Sequence, residues 1–237
     1  MSAPSATAGA AHPTPSRPSA SLAIVVLALL LSIQPVTTDL YLPALPDIGA
    51  SLGASVGAVQ WSLTAFFLAL GAGQLFYGPI SDMVGRKPPL YFGLVLFGLG
   101  SVGCALAPDI QTLVILRFIQ GLGACAGMVI PRAVVRDLHT GAEAARLMSL
   151  LMLVFSVSPI LAPLVGSGVI AVAGWRGVFW AVALAALVGL VLVATQLKET
   201  RPAAQRVESS LGSALRAYGV LLRDRHYMGL VLVGGCA

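Results

Sequence analysis

The stretch Gly78-Pro79-Ile80-Ser81-Asp82-Met83-Val84-Gly85-Arg86-Lys87-Pro88-Pro89 decides the fold class. It is a short, charged turn between two apolar runs that are too long for the helices of a soluble core. Each run has about the length of a membrane span, and two spans joined by so short a link lie side by side and antiparallel. Arg86 and Lys87 indicate the cytoplasmic end of this pair, because short cytoplasmic loops carry an excess of basic residues.

The composition is typical of a polytopic membrane protein. The chain has 237 residues, of which 57% are hydrophobic and 10% are charged, whereas soluble domains carry about 25% charged residues. The net charge of +5 comes from basic residues scattered among loops, which argues against binding to nucleic acid. The three cysteines lie in apolar segments and are expected to be small packing residues. No nucleophile–base set or metal cluster is recognisable, so we predict neither an enzyme nor a cofactor site.

The apolar runs divide the chain into four regions. We predict a disordered cytoplasmic tail over 1–20, a six-helix transmembrane bundle over 21–196, a cytoplasmic linker with a surface helix over 197–226, and the start of a seventh helix over 227–237. The six spans are 21–42, 58–80, 89–107, 111–135, 146–172 and 177–196. The last apolar run is shorter than the roughly 20 residues that a span needs. We therefore expect the chain to be the first half of a longer protein.

The basic residues predict the orientation of the bundle. All but two of the 14 lysines and arginines fall in the amino-terminal tail, in the links on the Arg86 side, or near the helix ends on that side. The positive-inside rule then places the amino terminus and segment 197–226 in the cytoplasm. Trp61, Trp175 and Trp180 lie near span ends on the opposite side, where we expect them to act as interfacial anchors.

Asp39 and Arg117 are the ionisable residues predicted to lie well inside spans. Asp39 is about 27 Å along a helix that starts at Ser21, and Arg117 lies about 9 Å below the same non-cytoplasmic surface. A buried charge in a membrane is costly, and pairing these two would lower the cost for both. The alternatives are that Asp39 is a solvated residue at a helix end and that Arg117 extends to the interface.

Other polar residues define candidate positions along the helices. Gln34, Thr38 and Tyr41 share one face of the first helix, and on this face Gln34 and Thr38 either form inter-helix hydrogen bonds or contact a ligand. We assign these three and Gln120 to a substrate cavity. In the fifth span, two prolines and small neighbours predict either a structural kink or a flexing gate, and the residues concerned are Pro159, Pro163 and Gly166.

Several motifs resemble those of a known transporter superfamily. The pattern G-x-x-x-D-x-x-G-R-K, at Gly78, Asp82, Gly85, Arg86 and Lys87, resembles the loop between helices 2 and 3 of major facilitator superfamily transporters. Arg117 with 120–123 resembles the helix 4 signature of proton-coupled members, and 162–167 resembles the antiporter signature G-P-x-x-G-G with departures at the first and last positions. The segments 38–46 and 132–138 resemble the Bcr/CflA multidrug-resistance family.

This resemblance implies an all-α fold and a transport function. The family exports small hydrophobic or amphipathic drugs across the bacterial inner membrane in exchange for protons. It implies that Asp39 carries the coupling proton with Arg117 nearby, and that the helix 2–3 loop, through Asp82 and Arg86, is a conformational latch to a second, carboxy-terminal half. The alternatives are a major facilitator symporter, or a six-helix membrane protein that does not transport and holds Asp39 and Arg117 as a structural pair.

Overall fold

A computed structural model describes residues 18–201 and 211–236, and every regular element in these ranges is a helix. The elements are α1 (Pro18–Tyr41), a 3-10 turn (Leu42–Ala44), α2 (Leu45–Leu52), α3 (Val56–Val84), α4 (Lys87–Leu106), α5 (Ile110–Leu138), α6 (Gly141–Gln196), α7 (Leu211–Arg223) and α8 (Arg225–Cys236). The predicted all-α class is therefore confirmed. We call the end of the bundle that holds the α3–α4 turn the Arg86 end, and the opposite end the Tyr41 end.

Five stretches are long and apolar enough to cross a membrane: Ala23–Leu52, Val56–Val84, Lys87–Leu106, Ile110–Leu138 and Gly141–Gln196. The first of them joins α1, the 3-10 turn and α2, so the link predicted after residue 42 is itself mostly helical. The last contains both the predicted fifth and sixth spans. The structure therefore has five such helices in its described ranges where six spans were predicted.

The difference in number comes from α6, which has 56 residues and non-helical backbone angles at Gly174. A straight helix of that length would be about 84 Å long, far more than the roughly 30 Å of a bilayer core. Gly166 lies against the backbone of Leu40, and the ring of Phe179 lies 5.6 Å from that of Tyr41. Two positions about 20 Å apart on a straight helix thus meet adjacent residues of α1. The chain therefore turns back at Gly174, and we call 141–173 and 175–196 the first and second arms of α6.

Helix α5 lies at the centre of the bundle because its glycines let three other helices approach closely. A Cβ atom added at Gly121 would lie 2.4 Å from the carbonyl oxygen of Phe66 in α3, and one at Gly127 would lie 2.8 Å from that of Leu30 in α1. A Cβ atom at Gly123 would lie 2.4 Å from a backbone nitrogen of α4. Small residues at helix crossings are typical of membrane proteins, where close backbone packing replaces the hydrophobic effect as the driving force.

Polar side chains cap the amino-terminal ends of two of the long helices. The side chain of Ser55 accepts a hydrogen bond from the backbone N–H of Ala58 at the start of α3. Asp109 accepts from both the backbone N–H and the hydroxyl of Thr112, at 2.8 and 2.9 Å, at the start of α5. These hydrogen bonds hold the pKa of Asp109 below its usual value, because they favour the ionised carboxylate.

The described ranges include parts of the predicted tail and linker and all three tryptophans. Helix α1 begins at Pro18, inside the predicted tail, and residues 1–17 lie outside the described ranges. The predicted surface helix of the linker corresponds to α7, while 202–210 are likewise not described. Trp61 and Trp180 are exposed, as expected of interfacial anchors, but Trp175 is buried against Phe179. For Trp175 the anchor assignment is wrong, because the turn at Gly174 directs this ring into the core.

Candidate functional site

A cluster of charged residues joins α3, α4 and α5 at the Arg86 end. The guanidinium of Arg86 donates to both carboxylate oxygens of Asp137, from Nε at 2.7 Å and from Nη2 at 3.1 Å. Its Nη1 lies 2.8 Å from an Asp82 oxygen and donates to the hydroxyl of Ser81 at 2.7 Å. Burial by itself would lower the pKa of Arg86, but the two carboxylates outweigh that effect and raise it, so the guanidinium stays charged.

The segment that follows α6 completes this cluster. The Glu199 carboxylate accepts from the backbone N–H groups of Arg86 and Lys87, at 2.9 and 3.1 Å, and so caps the first turn of α4. Arg201 donates to Asp82, and the Thr200 hydroxyl donates to Asp137. We call Ser81, Asp82, Arg86, Asp137, Glu199 and Arg201 together the Arg86 cluster. It ties the chain after α6 to the α3–α4 turn.

The geometry changes the role expected for Arg86 as a latch to a second half. Its side chain is only 5% exposed and its guanidinium contacts partners within this bundle. Asp82 keeps a side-chain exposure of 41%, so it alone of the two is accessible from outside. Gly85 adopts a φ of 101°, a conformation that favours glycine, and Gly78 has open space at its missing side chain. The Lys87 ammonium lies 5.6 Å from the centre of the Tyr91 ring.

Arg117 lies in a closed aromatic pocket near the Tyr41 end. It is 0% exposed, and its guanidinium carbon lies 4.1 Å from the ring centre of Tyr41, 4.6 Å from that of Phe66 and 5.7 Å from that of Phe179. Nη1 donates to the side-chain oxygen of Gln120 at 2.8 Å. Nε and Nη2 have no hydrogen-bond acceptor among the described residues. The rings stabilise the cation in their place, through attraction to the negative faces of the π systems.

Gln120 is part of a buried hydrogen-bond chain rather than of a cavity wall. It accepts from Arg117 and donates from its amide nitrogen to the Ser101 hydroxyl at 2.7 Å, which in turn donates to the carbonyl of Phe97. Gln120, Ser101 and Tyr41 are all fully buried. The assignment of Tyr41 and Gln120 to a substrate cavity is therefore corrected: their polar groups are already bonded inside the bundle.

The expected ion pair between Asp39 and Arg117 does not form. No carboxylate lies within ion-pair distance of Arg117 in the described part of the chain, and the buried Oδ2 of Asp39 has no hydrogen-bond partner there. The two residues do lie at similar depth, because Leu30 of α1 meets Gly127 of α5 and the helices are antiparallel. They are separated by rotation: Asp39 and Tyr41 point about 160° apart on α1, and the Tyr41 side faces Arg117.

Gln34 and Thr38 bond to each other within α1. The Gln34 amide nitrogen lies 3.4 Å from the Thr38 hydroxyl, which donates to the Gln34 carbonyl at 3.1 Å. Both side chains are nearly buried. The inter-helix hydrogen bonds expected for them are absent among the described residues, and their contact with a ligand remains a prediction.

The antiporter-like segment of α6 packs directly beside Asp39. A Cβ atom at Gly166 would lie 2.8 Å from the carbonyl oxygen of Leu40 and 3.1 Å from its Cα atom. This position tolerates only a glycine, because a larger residue would collide with the backbone of Leu40, which cannot move aside as a side chain can. Pro159 and Pro163 lie within the first arm, and the non-helical backbone of α6 falls later, at Gly174. The first arm thus touches the turn of α1 that carries Asp39.

The family model described as Major Facilitator Superfamily matches residues 24–237. The chain belongs to the Major Facilitator Superfamily. It is therefore a multi-pass membrane protein of a transporter family, as its motifs and hydropathy indicated.

Relatives within the superfamily include transporters with drug-resistance names. The chain is 42% identical over 212 residues to the uncharacterized MFS-type transporter YdgK of Bacillus subtilis. The matched region covers 89% of this chain and 53% of that protein. It is 30% identical to a bicyclomycin resistance protein homolog of Haemophilus influenzae, over 87% of this chain and 52% of that protein. It is 37% identical to the multidrug resistance protein MdtL of Escherichia coli, over 74% of this chain and 45% of that protein.

A solved structure supports the superfamily fold. The crystal structure of the human organic anion transporter MFSD10 (TETRAN) superposes with a TM-score of 0.66 at 21% identity, over 82% of this chain and 51% of that one. The chain thus spans about half the length of the curated relatives and of the solved transporter that it matches.

Sequence reasoning assigned no site role to four members of the Arg86 cluster and to two rings of the Arg117 pocket, namely Ser81, Asp137, Glu199, Arg201, Phe66 and Phe179. Glu199 and Arg201 follow directly after the last long apolar run, and acidic and basic residues at such a boundary are a weak signal of an anchored segment. Phe66 and Phe179 carry no polar signal at all, because an aromatic residue in an apolar helix is indistinguishable from ordinary core. Their role becomes visible only when the helices are packed.

Proposed function

We propose that this chain forms the first helical bundle of a transporter that exports small hydrophobic or amphipathic drugs across the bacterial inner membrane in exchange for protons. The amino terminus lies in the cytoplasm in this proposal, as the distribution of basic residues indicates. The drug-resistance names of the relatives from Haemophilus influenzae and Escherichia coli support the substrate class. No catalytic chemistry and no cofactor are part of the proposal.

The observation that carries the proposal is the Asp39 carboxyl group. It lies inside a long apolar helix, is partly buried, and one of its oxygens is buried without a hydrogen-bond partner among the described residues. An ionised carboxylate in such surroundings is costly, whereas a protonated one is tolerated. A group with this difference between its two forms is suited to take up a proton on one side of the membrane and release it on the other.

An apolar groove beside Asp39 fits the proposed substrate class. It has a volume of about 420 Å³ and runs between α1 and the first arm of α6, with Val36, Leu40, Val157 and Leu161 among its walls. This volume lies within the range of small-molecule sites, and the lining is nearly all apolar. A hydrophobic drug bound there would lie next to the turn that carries Asp39, so that binding and protonation would influence each other.

The conformational cycle is proposed from the same contacts. Transporters with two related helical bundles rock one bundle against the other around a central site. We propose that a second, carboxy-terminal bundle completes this site, that the exposed carboxylate of Asp82 contacts it at the Arg86 end, and that the packing of Gly166 on Leu40 moves with the gate formed by the first arm. Protons, the drug and the lipid bilayer are the other partners.

The proposal is tested by Asp39→Asn in the complete gene product, with Asp47→Asn as the matched control. Asp47 is an exposed carboxylate in α2 at the same end of the bundle. In an efflux-deficient bacterial host, Asp39→Asn is expected to abolish resistance across a panel of hydrophobic drugs, while Asp47→Asn keeps it. In proteoliposomes, the parent and Asp47→Asn should export drug uphill when a pH gradient is imposed, and Asp39→Asn should not.

Drug-induced proton release from detergent-solubilised protein locates the coupling group directly. If Asp39→Asn releases protons on drug addition as the parent does, Asp39 is not the coupling site. Solute that moves in the same direction as the protons would indicate a symporter instead. The alternative of a structural Asp39–Arg117 pair already lacks its ion pair in the described residues.

A further inference from the structure

We propose that Tyr41 is a positioning residue: held by Arg117, Phe179 and Ser62, it sets the rotation of the last turn of α1 and so the direction in which Asp39 points. The inference rests on the proposed function for the importance of Asp39 in transport. Its structural part, that Tyr41 controls the setting of Asp39, stands on contacts alone.

Tyr41 is the last residue of α1 and contacts three other helices. Its ring lies 4.1 Å from the guanidinium carbon of Arg117 in α5 and 5.6 Å from the ring of Phe179 in the second arm of α6. Its hydroxyl lies 2.5 Å from that of Ser62 in α3. The whole side chain is 0% exposed. Tyr41 therefore fixes the end of α1 against α3, α5 and α6 at once.

The direction of the hydroxyl proton follows from the neighbouring bond. The Ser62 hydroxyl also donates to the carbonyl oxygen of Val59, at 2.5 Å. A serine hydroxyl has one proton, so Tyr41 is the donor in the bond between the two hydroxyls. The Tyr41 proton is thus directed at α3, and the side chain is not free to serve as a substrate ligand.

The other side of Tyr41 is equally constrained, because Arg117 cannot move freely. Its Nη1 donates to Gln120, which is fixed by the hydroxyl of Ser101. The remaining donors, Nε and Nη2, have no other hydrogen-bond partner in the described part of the chain, so they depend on the surrounding rings. A desolvated cation attracts an aromatic face more strongly than an exposed one does. Arg117 is therefore a rigid internal support for the Tyr41 ring.

Asp39 lies two residues before Tyr41, on nearly the opposite face of the same turn. Between them, Leu40 meets the backbone at Gly166 in the first arm of α6. Directly after Tyr41 the chain tightens into the 3-10 turn Leu42–Ala44. With the ring of Tyr41 removed, the last turn of α1 loses its contacts on one side and can rewind, and Asp39 turns with it.

Thiol labelling tests the structural part without any transport assay. In a background with Cys104→Ala, Cys125→Ala and Cys236→Ala, Asp39→Cys supplies a single thiol at the position of interest. We expect Tyr41→Leu to make this thiol react several-fold faster with a small thiol reagent, and Tyr41→Phe to leave the rate unchanged because the ring remains. A thiol from Val25→Cys, on an exposed part of α1 far from Tyr41, is the control and should not respond.

Export kinetics test the functional part. With Asp39 intact, we expect Tyr41→Leu to lower the maximal rate of proton-driven drug export about tenfold, the size of effect that loss of one desolvated cation–π contact can produce. The drug concentration at half-maximal rate should stay near that of the parent. Tyr41→Phe should restore most of the rate.

Each result supports or overturns the inference. Parent-like labelling at position 39 in Tyr41→Leu, or an equal defect in Tyr41→Phe and Tyr41→Leu, would contradict it. If Tyr41→Leu does not accumulate, Phe179→Leu removes the ring packed on Tyr41 and should raise labelling at position 39 by a smaller factor; no change there would also refute the role. Normal proton-driven export by Asp39→Asn would contradict the proposed function. The labelling result would still test whether Tyr41 sets the direction of the side chain at position 39.

Discussion

Arg117 shows how a membrane protein can hold a buried cation without a carboxylate. Its guanidinium is enclosed by the rings of Tyr41, Phe66 and Phe179 and by one amide oxygen, that of Gln120. Pairing a buried arginine with a nearby acid is the usual solution, since breaking such a pair leaves an uncompensated charge. Here the aromatic faces take the place of the acid, and within the described ranges Asp39 forms no ion pair with Arg117.

Arg86 and Lys87 are adjacent basic residues with different roles, and exchanging each for the other amino acid separates them. Arg86→Lys is expected to lower the free energy of unfolding by about 1–3 kcal/mol, because a lysine cannot form the two parallel bonds to Asp137. Lys87→Arg should be nearly neutral, since Lys87 contacts Glu199 through its backbone N–H. Thermal unfolding of both variants in the same detergent measures the difference.

Equal stability of these two variants would show that the bidentate contact between Arg86 and Asp137 does not hold the Arg86 cluster together. Asp137→Asn then gives a second measure, because it removes the carboxylate charge and keeps the shape of the side chain. Asp137→Asn should lower the free energy of unfolding by about as much as Arg86→Lys does.

Among the helices, α6 is the element in which a single residue changes the topology. Gly174 has φ 66° and ψ −177°, a combination that is essentially restricted to glycine. The prolines at 159 and 163 attract attention in the sequence, but the chain turns back eleven residues after the second of them. The reversal brings Gly166 and Phe179 to adjacent residues of α1, so both arms help to surround the turn that carries Asp39.

Replacing Gly174 by alanine tests the importance of this turn. Gly174→Ala is expected to destabilise the protein by about 1–3 kcal/mol, because an alanine cannot adopt the observed angles without strain. Gly168→Ala is the matched control: it lies in the same helix, has no positive φ and has open space at the missing Cβ atom. The unfolding temperatures of the two variants in detergent provide the comparison. A Gly174→Ala protein as stable as Gly168→Ala would mean that the break is not strained.

For the whole molecule, the proposed orientation predicts which surfaces reagents can reach in intact cells. Ser51 in α2 and Thr140 between α5 and α6 are both exposed and lie at opposite ends of the bundle. We expect a membrane-impermeant thiol reagent to label Ser51→Cys in intact cells and Thr140→Cys only after the cells are broken. Both variants carry Cys236→Ala, and the native Cys104 and Cys125 are buried and give a low background. If Thr140→Cys is labelled in intact cells and Ser51→Cys is not, the proposed orientation is wrong and the Arg86 end faces the outside.

The sequence by itself determined the class of the protein, the positions of its apolar segments and the turns between most of them. These properties are local, because hydropathy depends on the residues within one segment and a turn depends on its own glycines and charges. The motif from Gly78 to Lys87 was sufficient to predict a transporter of this superfamily, and the comparison with the family model confirmed it. The boundary between the fifth and sixth spans, predicted at 173–176, includes the break at Gly174.

Only the tertiary structure decided what the charged and polar side chains contact. The sequence predicted the similar depth of Asp39 and Arg117, yet their separation depends on the rotation of α1 about its own axis. That rotation is set by packing against three other helices, through residues such as Phe66 and Phe179 that no local pattern distinguishes from core. The link between Glu199 and the start of α4 likewise joins residues more than a hundred positions apart. Depth follows from position along a helix, but the choice of partner follows from how the helices are turned and packed.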